Sequence, residues 1–173
     1  MEKVIVPLTY QNNLLIVDGG TEAGVMRITG EAFRSTYPPP RIIGGMSSVL
    51  EPIPLLGVVP ESKVDYPGND QPSAGRCRLD PNHFYFILVC DAQDWGEEVD
   101  CMFAFLDYLA IQRSVPVVNV VANGGRITIK EAFHAVENGW QVVVWEGSHR
   151  AAEVIIAAID GASGERLVDL CGE

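Results

Sequence analysis

The sequence predicts a doubly wound α/β domain with a mainly parallel sheet of about five strands. Three observations carry this. Short apolar runs recur along the chain, helical patterns fill the intervals between them, and glycine-rich turns follow three of the runs. Strands that are apolar at nearly every position belong to a parallel sheet covered on both faces.

Element by element, the chain opens on Val4, Ile5 and Leu8, which form one apolar face if the segment is helical. Pro7 fits poorly in a helix interior, so Val4 to Leu8 reads also as an edge strand. The first core strand is Leu14 to Val17, and a helix from about Thr21 to Tyr37 follows, with Thr21 as its N-cap and Pro38-Pro39-Pro40 as its stop. Leu55 to Val59 is the second strand. Residues 60–82, with four prolines and two glycines, then read as a long loop of the kind that serves as a lid. Phe84 to Cys90 is the third strand. The helix from about Gly96 to Arg113 puts Val99, Met102, Phe103, Leu106 and Leu109 on one stripe, with Phe103 and Tyr108 expected in the core. Val117 to Val121, a helix from about Thr128 to Glu137 and the Asn138-Gly139 stop come next. Val142 to Trp145 is the fifth strand. The last helix begins at Ser148, carries Ala151, Ala152, Ile155, Ile156 and Ile159, and ends at Gly161.

Composition bounds the function. A chain of 173 residues fits one domain, 1–173, that buries roughly two thirds of its unfolded surface. Its net charge of −11 opposes approach to nucleic acid or to an anionic membrane, and no apolar run approaches the roughly 20 residues needed to span a bilayer. The N-terminus MEKVIVPL has no features of a secretory peptide, so a cytoplasmic protein is expected. Cys77, Cys90, Cys101 and Cys171 form no C-x-x-C pair and no zinc-like spacing with histidine. They read as reduced thiols, two of them in the core, and no metal or cofactor is expected.

The chemistry is expected at the carboxyl ends of the strands. Asp18-Gly19-Gly20-Thr21, Asn123-Gly124-Gly125-Arg126 and Glu146-Gly147-Ser148-His149-Arg150 each place glycine at a strand-to-helix corner. Such corners expose orphan amides and the positive end of a helix dipole, a setting suited to phosphate, although tight packing also selects glycine there. Arg150 lies where a cation faces the positive dipole end, which a bound anion would turn favourable; pairing with Glu153 or Asp160 is the alternative. Glu131 is within reach of a sugar held at Gly125, but Thr128-x-x-Glu131 also reads as a capping box. Asp94-Trp95-Gly96-Glu97-Glu98 offers carboxylates to ribose hydroxyls or, equally, to a helix dipole. His83 precedes a buried strand and reads as a loop-stabilising residue; with His134 and His149 it forms no triad with any Ser or Cys.

In order along the chain, Gly19-Gly20-Thr21-Glu22-Ala23-Gly24-Val25-Met26, Leu79-Asp80-Pro81-Asn82-His83-Phe84-Tyr85-Phe86-Ile87-Leu88-Val89, Trp95-Gly96-Glu97-Glu98, Asn123-Gly124-Gly125 and Gly147-Ser148-His149-Arg150-Ala151-Ala152 resemble the SLOG superfamily. More narrowly, residues 2–162 resemble the prokaryotic relatives of the SLOG domain at the N-terminus of melastatin-type TRP channels. The resemblance implies a Rossmann-like three-layer sandwich and a nucleotide-derived ligand such as ADP-ribose or cyclic ADP-ribose; some relatives act in anti-phage signalling. It implies ligand contacts at Gly19, Gly20, Thr21, Gly24, Gly124, Gly125, Gly147, Ser148 and Arg150. The phosphoribohydrolase branch uses P-G-G-x-G-T-x-x-E. Here Asn123 replaces the proline and Ile127 the third glycine, while Thr128 and Glu131 keep their places, Thr128 as a further ligand contact and Glu131 as the catalytic group if the chain hydrolyses an N-glycosidic bond. No counterpart of that branch's catalytic arginine is found. Family members begin with another strand and Gly-Gly loop, which this sequence lacks before Leu14; the sheet edge so exposed suggests a homo-oligomer. A binding module is therefore expected first, a nucleotide hydrolase second, and a degenerate domain serving only subunit contacts third.

Overall fold

The computed structural model describes residues 3–36, 55–66 and 75–167. It is an α/β Rossmann-like structure in which, among the described residues, every ladder between strands is parallel. The chain divides into two compact units, Met1–Asp94 and Trp95–Glu173.

The first unit starts with helix α1, Ile5–Asn12, which settles the ambiguity over its opening segment. Pro7 is the third residue of that helix, where its missing N–H would have had no partner in any case. The buried face is Val6 and Thr9, whereas Val4 and Leu8 point outward, a correction to the expected stripe. Val6 joins Ala32, Phe33 and Leu55 in a core cluster against which Tyr10 and Ile16 pack.

Strand β1, Ile16–Asp18, leads to helix α2, Gly24–Thr36; Tyr37, the expected helix end, lies outside the described residues. Strand β2, Leu55–Pro60, is buried along its whole length between β1 and the third core strand, as its unbroken apolar run predicts. The segment 60–82 is more ordered than a simple loop. A 3-10 turn at Glu61–Lys63 precedes β3, Val64–Asp65, which pairs with β4, Cys77–Arg78, and Thr21 bridges to Leu79. Strand β5, Tyr85–Val89, completes the three-stranded sheet in the order β1-β2-β5.

The register of this sheet has a consequence for the turns. Asp18 is level with Gly57, and Gly57 with Phe86, so β1 ends three residues before Pro60 ends β2. At about 3.3 Å per residue, the first glycine turn leaves the sheet about 10 Å below the carboxyl end of its neighbours.

The second unit contains α3, Glu98–Arg113, β6, Val118–Val121, α4, Arg126–Glu137, β7, Gln141–Val144, and α5, Ala151–Ile159. The predicted stripe of α3 is met by buried Val99, Met102 and Phe103, with Phe103 stacked on Trp140 at 5.3 Å; Tyr108 is exposed rather than in the core. Val121, Ala132 and Ala152 form the centre of a cluster that Val142, Val144 and Ile155 complete, while Ile159 is exposed, contrary to its place on the expected stripe. Both-face burial fails for this pair of strands. Val118, Val120, Val143 and Trp145 share the face opposite the cluster and are exposed. Two cysteines were expected in the core, but Cys77 is half-buried and Cys90 and Cys101 are exposed; Cys171 lies outside the described residues.

Candidate functional site

The turns of the second unit are built on a level base. Val121 and Val144 are partners in the parallel ladder, so the residues following β6 and β7 leave the sheet at the same edge and height. The two loops are then stitched together. Ser148 Oγ accepts the Asn123 amide at 2.8 Å and donates to the Trp145 carbonyl at 2.6 Å, and the Ala152 amide, in the first turn of α5, donates to the Asn123 carbonyl at 3.3 Å. Ser148 is thus a bridge between loops, and α5 begins three residues after it instead of at it.

Within the Asn123–Gly125 corner, Gly124 has φ +90° and a Cβ there would overlap the Thr128 side chain, so this position requires glycine. Its amide donates to Asn123 Oδ1 at 2.8 Å. The Gly125 amide donates to Thr128 Oγ1 at 3.3 Å, with Gly125 as N-cap of α4. The helix starts two residues earlier than the sequence suggests. Thr128 is consequently the third helical residue, whose side chain reaches back to the cap, and Glu131 lies in the second turn, outside the capping box assigned to it.

The Gly147–Arg150 corner holds an unusual backbone. Gly147, His149 and Arg150 all have positive φ, at +76°, +70° and +56°. Two consecutive non-glycine residues in that region cost on the order of 1–3 kcal/mol each, and such strain concentrates at ligand sites. Arg150 is the N-cap of α5, exposed, and a Cβ on Gly125 would lie 3.6 Å from its Nη2 atom. Of the two pairings expected for it, Glu153 instead places Oε1 3.0 Å from His149 Nδ1, and none is formed with Asp160. Among the described residues Arg150 has no carboxylate partner. A guanidinium therefore stands beside the Gly124–Gly125 corner, at the positive end of α4.

The acids following β5 have structural partners. Glu98 is buried and accepts the Gly96 amide at 2.6 Å; burial raises its pKa, an effect that bonds from its own and the Gly96 amide reduce. Lys130 of α4 donates to the Gly96 carbonyl at 2.9 Å and pairs with Asp100, which also meets His134 Nε2. Asp94, at the end of the first unit, pairs with Lys63 at 3.1 Å.

The Asp18–Thr21 turn, in the first unit, is of a different kind. Gly20 has φ +56°, and a Cβ on it would lie 2.7 Å from Gly57 Cα and 2.9 Å from Phe86. The turn crosses the sheet face as backbone against backbone. Gly19 lies close under Met26, Thr21 is buried with its hydroxyl 3.7 Å from Met26 Sδ, and Gly24 opens α2 with open space around its Cα. Thr21 sits three residues before the helix and does not cap it. The Gly20 amide donates to Asp18 Oδ1, the Glu22 amide to the Arg78 carbonyl and the Ala23 amide to the Thr21 carbonyl.

Sequence reasoning missed what supports this turn. His83 Nε2 lies 2.8 Å from Asp18 Oδ1 and its Nδ1 2.9 Å from Asp80 Oδ2. The His83 and Asp80 side chains are fully buried, and that of Asp18 keeps 20% of its surface. Asp80 Oδ1 accepts from the Asn82 backbone and side-chain amides, and Asn82 Oδ1 in turn accepts from Arg34 of α2. Gly30 of α2 makes room, since a Cβ there would collide with Asp80 Oδ2. Burial, the largest influence on His83, lowers its pKa, but the bond and charge of Asp18 and the charge of Asp80 outweigh it and the net shift is upward. A neutral imidazole has one donor, so two ionised acceptors are satisfied only by the imidazolium.

Among the described residues no helix is long and apolar enough to cross a membrane. The family model described as "SLOG in TRPM, prokaryote" matches residues 1–171. The chain is 28% identical to mouse transient receptor potential cation channel subfamily M member 2 over 173 residues, which takes in 87% of this chain and 11% of that protein. A Nematostella vectensis subfamily M member-like 2 protein is 28% identical over 165 residues, covering 81% of this chain and 10% of its own. A Caenorhabditis elegans transient receptor potential channel is likewise 28% identical, over 88% of this chain and 8% of its own. The chain spans about a tenth of the length of the curated relatives it matches.

Proposed function

Because the chain belongs to the family described as SLOG in TRPM, prokaryote, we propose that it is a cytosolic binding module for a nucleotide-derived ligand of the ADP-ribose or cyclic ADP-ribose type. A phosphate of that ligand is held at the paired corners of the second unit. The observation that carries the reading is Arg150, a guanidinium with no carboxylate partner among the described residues, set against Gly125 at the N-terminus of α4. In the free protein this cation opposes the helix dipole by a few tenths of a kcal/mol to about 1, and a phosphate reverses the sign. The level ends of β6 and β7 and the strained His149–Arg150 backbone support the same place.

Calorimetric titration and thermal unfolding with ADP-ribose, cyclic ADP-ribose and AMP test this. A ligand at a hundredfold excess over Kd stabilises by about 2.7 kcal/mol. Arg150→Ala is expected to lower affinity at least tenfold, since a charge-assisted bond contributes about 1.5–3 kcal/mol. Stability without ligand is expected to stay level or rise slightly. Equal affinity in the mutant removes Arg150 from the site, and no stabilisation by any of these compounds overturns the binding reading. Release of free base that is lost in Glu131→Gln points instead to an N-glycosidic hydrolase.

A further inference from the structure

We propose that Asp80 and His83 present Asp18 as the hydroxyl-binding group of the Gly19–Gly20 turn, making that turn a site for the vicinal diol of a sugar and not for a phosphate. The inference goes beyond the phosphate reading of the second unit and does not rest on it. Three features of the first unit carry it.

Three amides around the turn are already bonded to the protein itself. The amides of Gly20, Glu22 and Ala23 are already given to Asp18, Arg78 and Thr21, and the side chain at the mouth of the turn is a carboxylate. A phosphate there meets like charge, whereas hydroxyl groups meet an acceptor.

Asp18 is also half-used. Its Oδ1 takes both the Gly20 amide and His83 Nε2, at 2.8 Å each, while among the described residues no bond is made to Oδ2, and 20% of the side chain is exposed. An ionised carboxylate oxygen with open lone pairs, held at a fixed angle, suits the adjacent hydroxyls of a furanose.

The support behind it is costly for a merely structural tie. Two carboxylates and an imidazolium are drawn out of water, although apolar side chains of similar volume commonly hold a fold as well or better. Helix α2 gives up a Cβ at Gly30, and with it helix propensity, to admit Asp80. In return the carboxylate of Asp18 is held in one orientation by His83. His83 and Asp80 are positioning residues in this scheme, since only Asp18 faces the ligand.

The test is carbon and nitrogen NMR of the full chain, reading Asp18 Cγ and the His83 ring nitrogens during separate titrations with D-ribose, adenosine, 2′-deoxyadenosine and inorganic phosphate. D-ribose and adenosine are expected to shift Asp18 Cγ saturably, 2′-deoxyadenosine and phosphate not, with both His83 nitrogens protonated throughout. A larger response to adenosine than to D-ribose assigns the diol to a nucleoside, and equal responses to a free sugar. His83→Gln is expected to abolish the response, with Asp18→Asn as a second variant in case the first does not fold. The proposal is overturned if neither diol moves Asp18, if 2′-deoxyadenosine or phosphate moves it as much, or if folded His83→Gln responds like the wild type. These readouts stand apart from ADP-ribose affinity and its dependence on Arg150, so the two readings fail separately.

Discussion

At the scale of single residues, the sign of one pKa shift makes a stability prediction. His83 binds its proton more tightly in the folded chain than at its ordinary value of 6.5. The groups facing it are Asp18 from β1, Asp80 from the turn before β5 and the Phe86 ring, with Asn82 and Arg34 one contact further out. Between 6.5 and the raised value the folded state holds more protons than the unfolded state, so stability falls as pH rises through that window. The contribution is complete below 6.5 and lost above the folded pKa. Urea unfolding at a series of pH values is expected to show this limb in the wild type and not in His83→Gln; stability that climbs toward pH 6.5 and is level above it would mean a neutral imidazole. Removing His83 leaves buried carboxylates without their counter-ion, about 3–5 kcal/mol of destabilisation. Gly20 gives a second test at this scale. Gly20→Ala forces a Cβ into the Gly57 backbone at positive φ and is expected to cost about 2–3 kcal/mol, read as a lowered denaturation midpoint.

Secondary-structure elements were legible where periodicity decides and illegible where register or a cap decides. All five apolar runs are strands, each too short for a helix of ordinary length, although only β2 is buried along its whole length and one face of β6 and β7 stays exposed. The helix ends were less accessible. Whether Thr128 is a cap or the third helical residue depends on two bonds of the preceding loop, and Ser148 was spent on tying β7 to β6, a partner 25 residues away in sequence. The Asp80–His83–Asp18 cluster was hidden for the same reason. Leu79-Asp80-Pro81-Asn82-His83 announces a turn, but only the short β1 and its register bring Asp18 to the histidine, 65 residues away. Helix α1 shows the opposite error, a proline weighed by its presence and not by its position. Pro7→Ala is expected to change stability by less than about 0.5 kcal/mol in chemical denaturation, as the first turn leaves its N–H unpaired. Phe33→Ala, which empties the cluster joining α1, α2 and β2, is expected to cost about 3–5 kcal/mol in the same measurement.

At the scale of the whole molecule, charge separates approach from residence. The net charge of −11 sets up a repulsive field for any anion, while Arg150 and the α4 N-terminus attract at close range. A phosphate-bearing ligand bound at the proposed site would diffuse in against the distant field and be held by the near one. Salt at physiological strength screens beyond about 8 Å, which removes most of the repulsion before it weakens a contact made at hydrogen-bond distance. The association rate of ADP-ribose, measured by stopped flow, is consequently expected to rise with sodium chloride, opposite to the behaviour of a basic cleft that steers anions inward. Arg150→Ala is expected to act on the dissociation rate far more than on association, because it removes one near charge from a field set by an excess of acids. An association rate that falls with salt would place enough local positive potential over the second unit to dominate the approach, and would move the recognition step from the contact to the encounter.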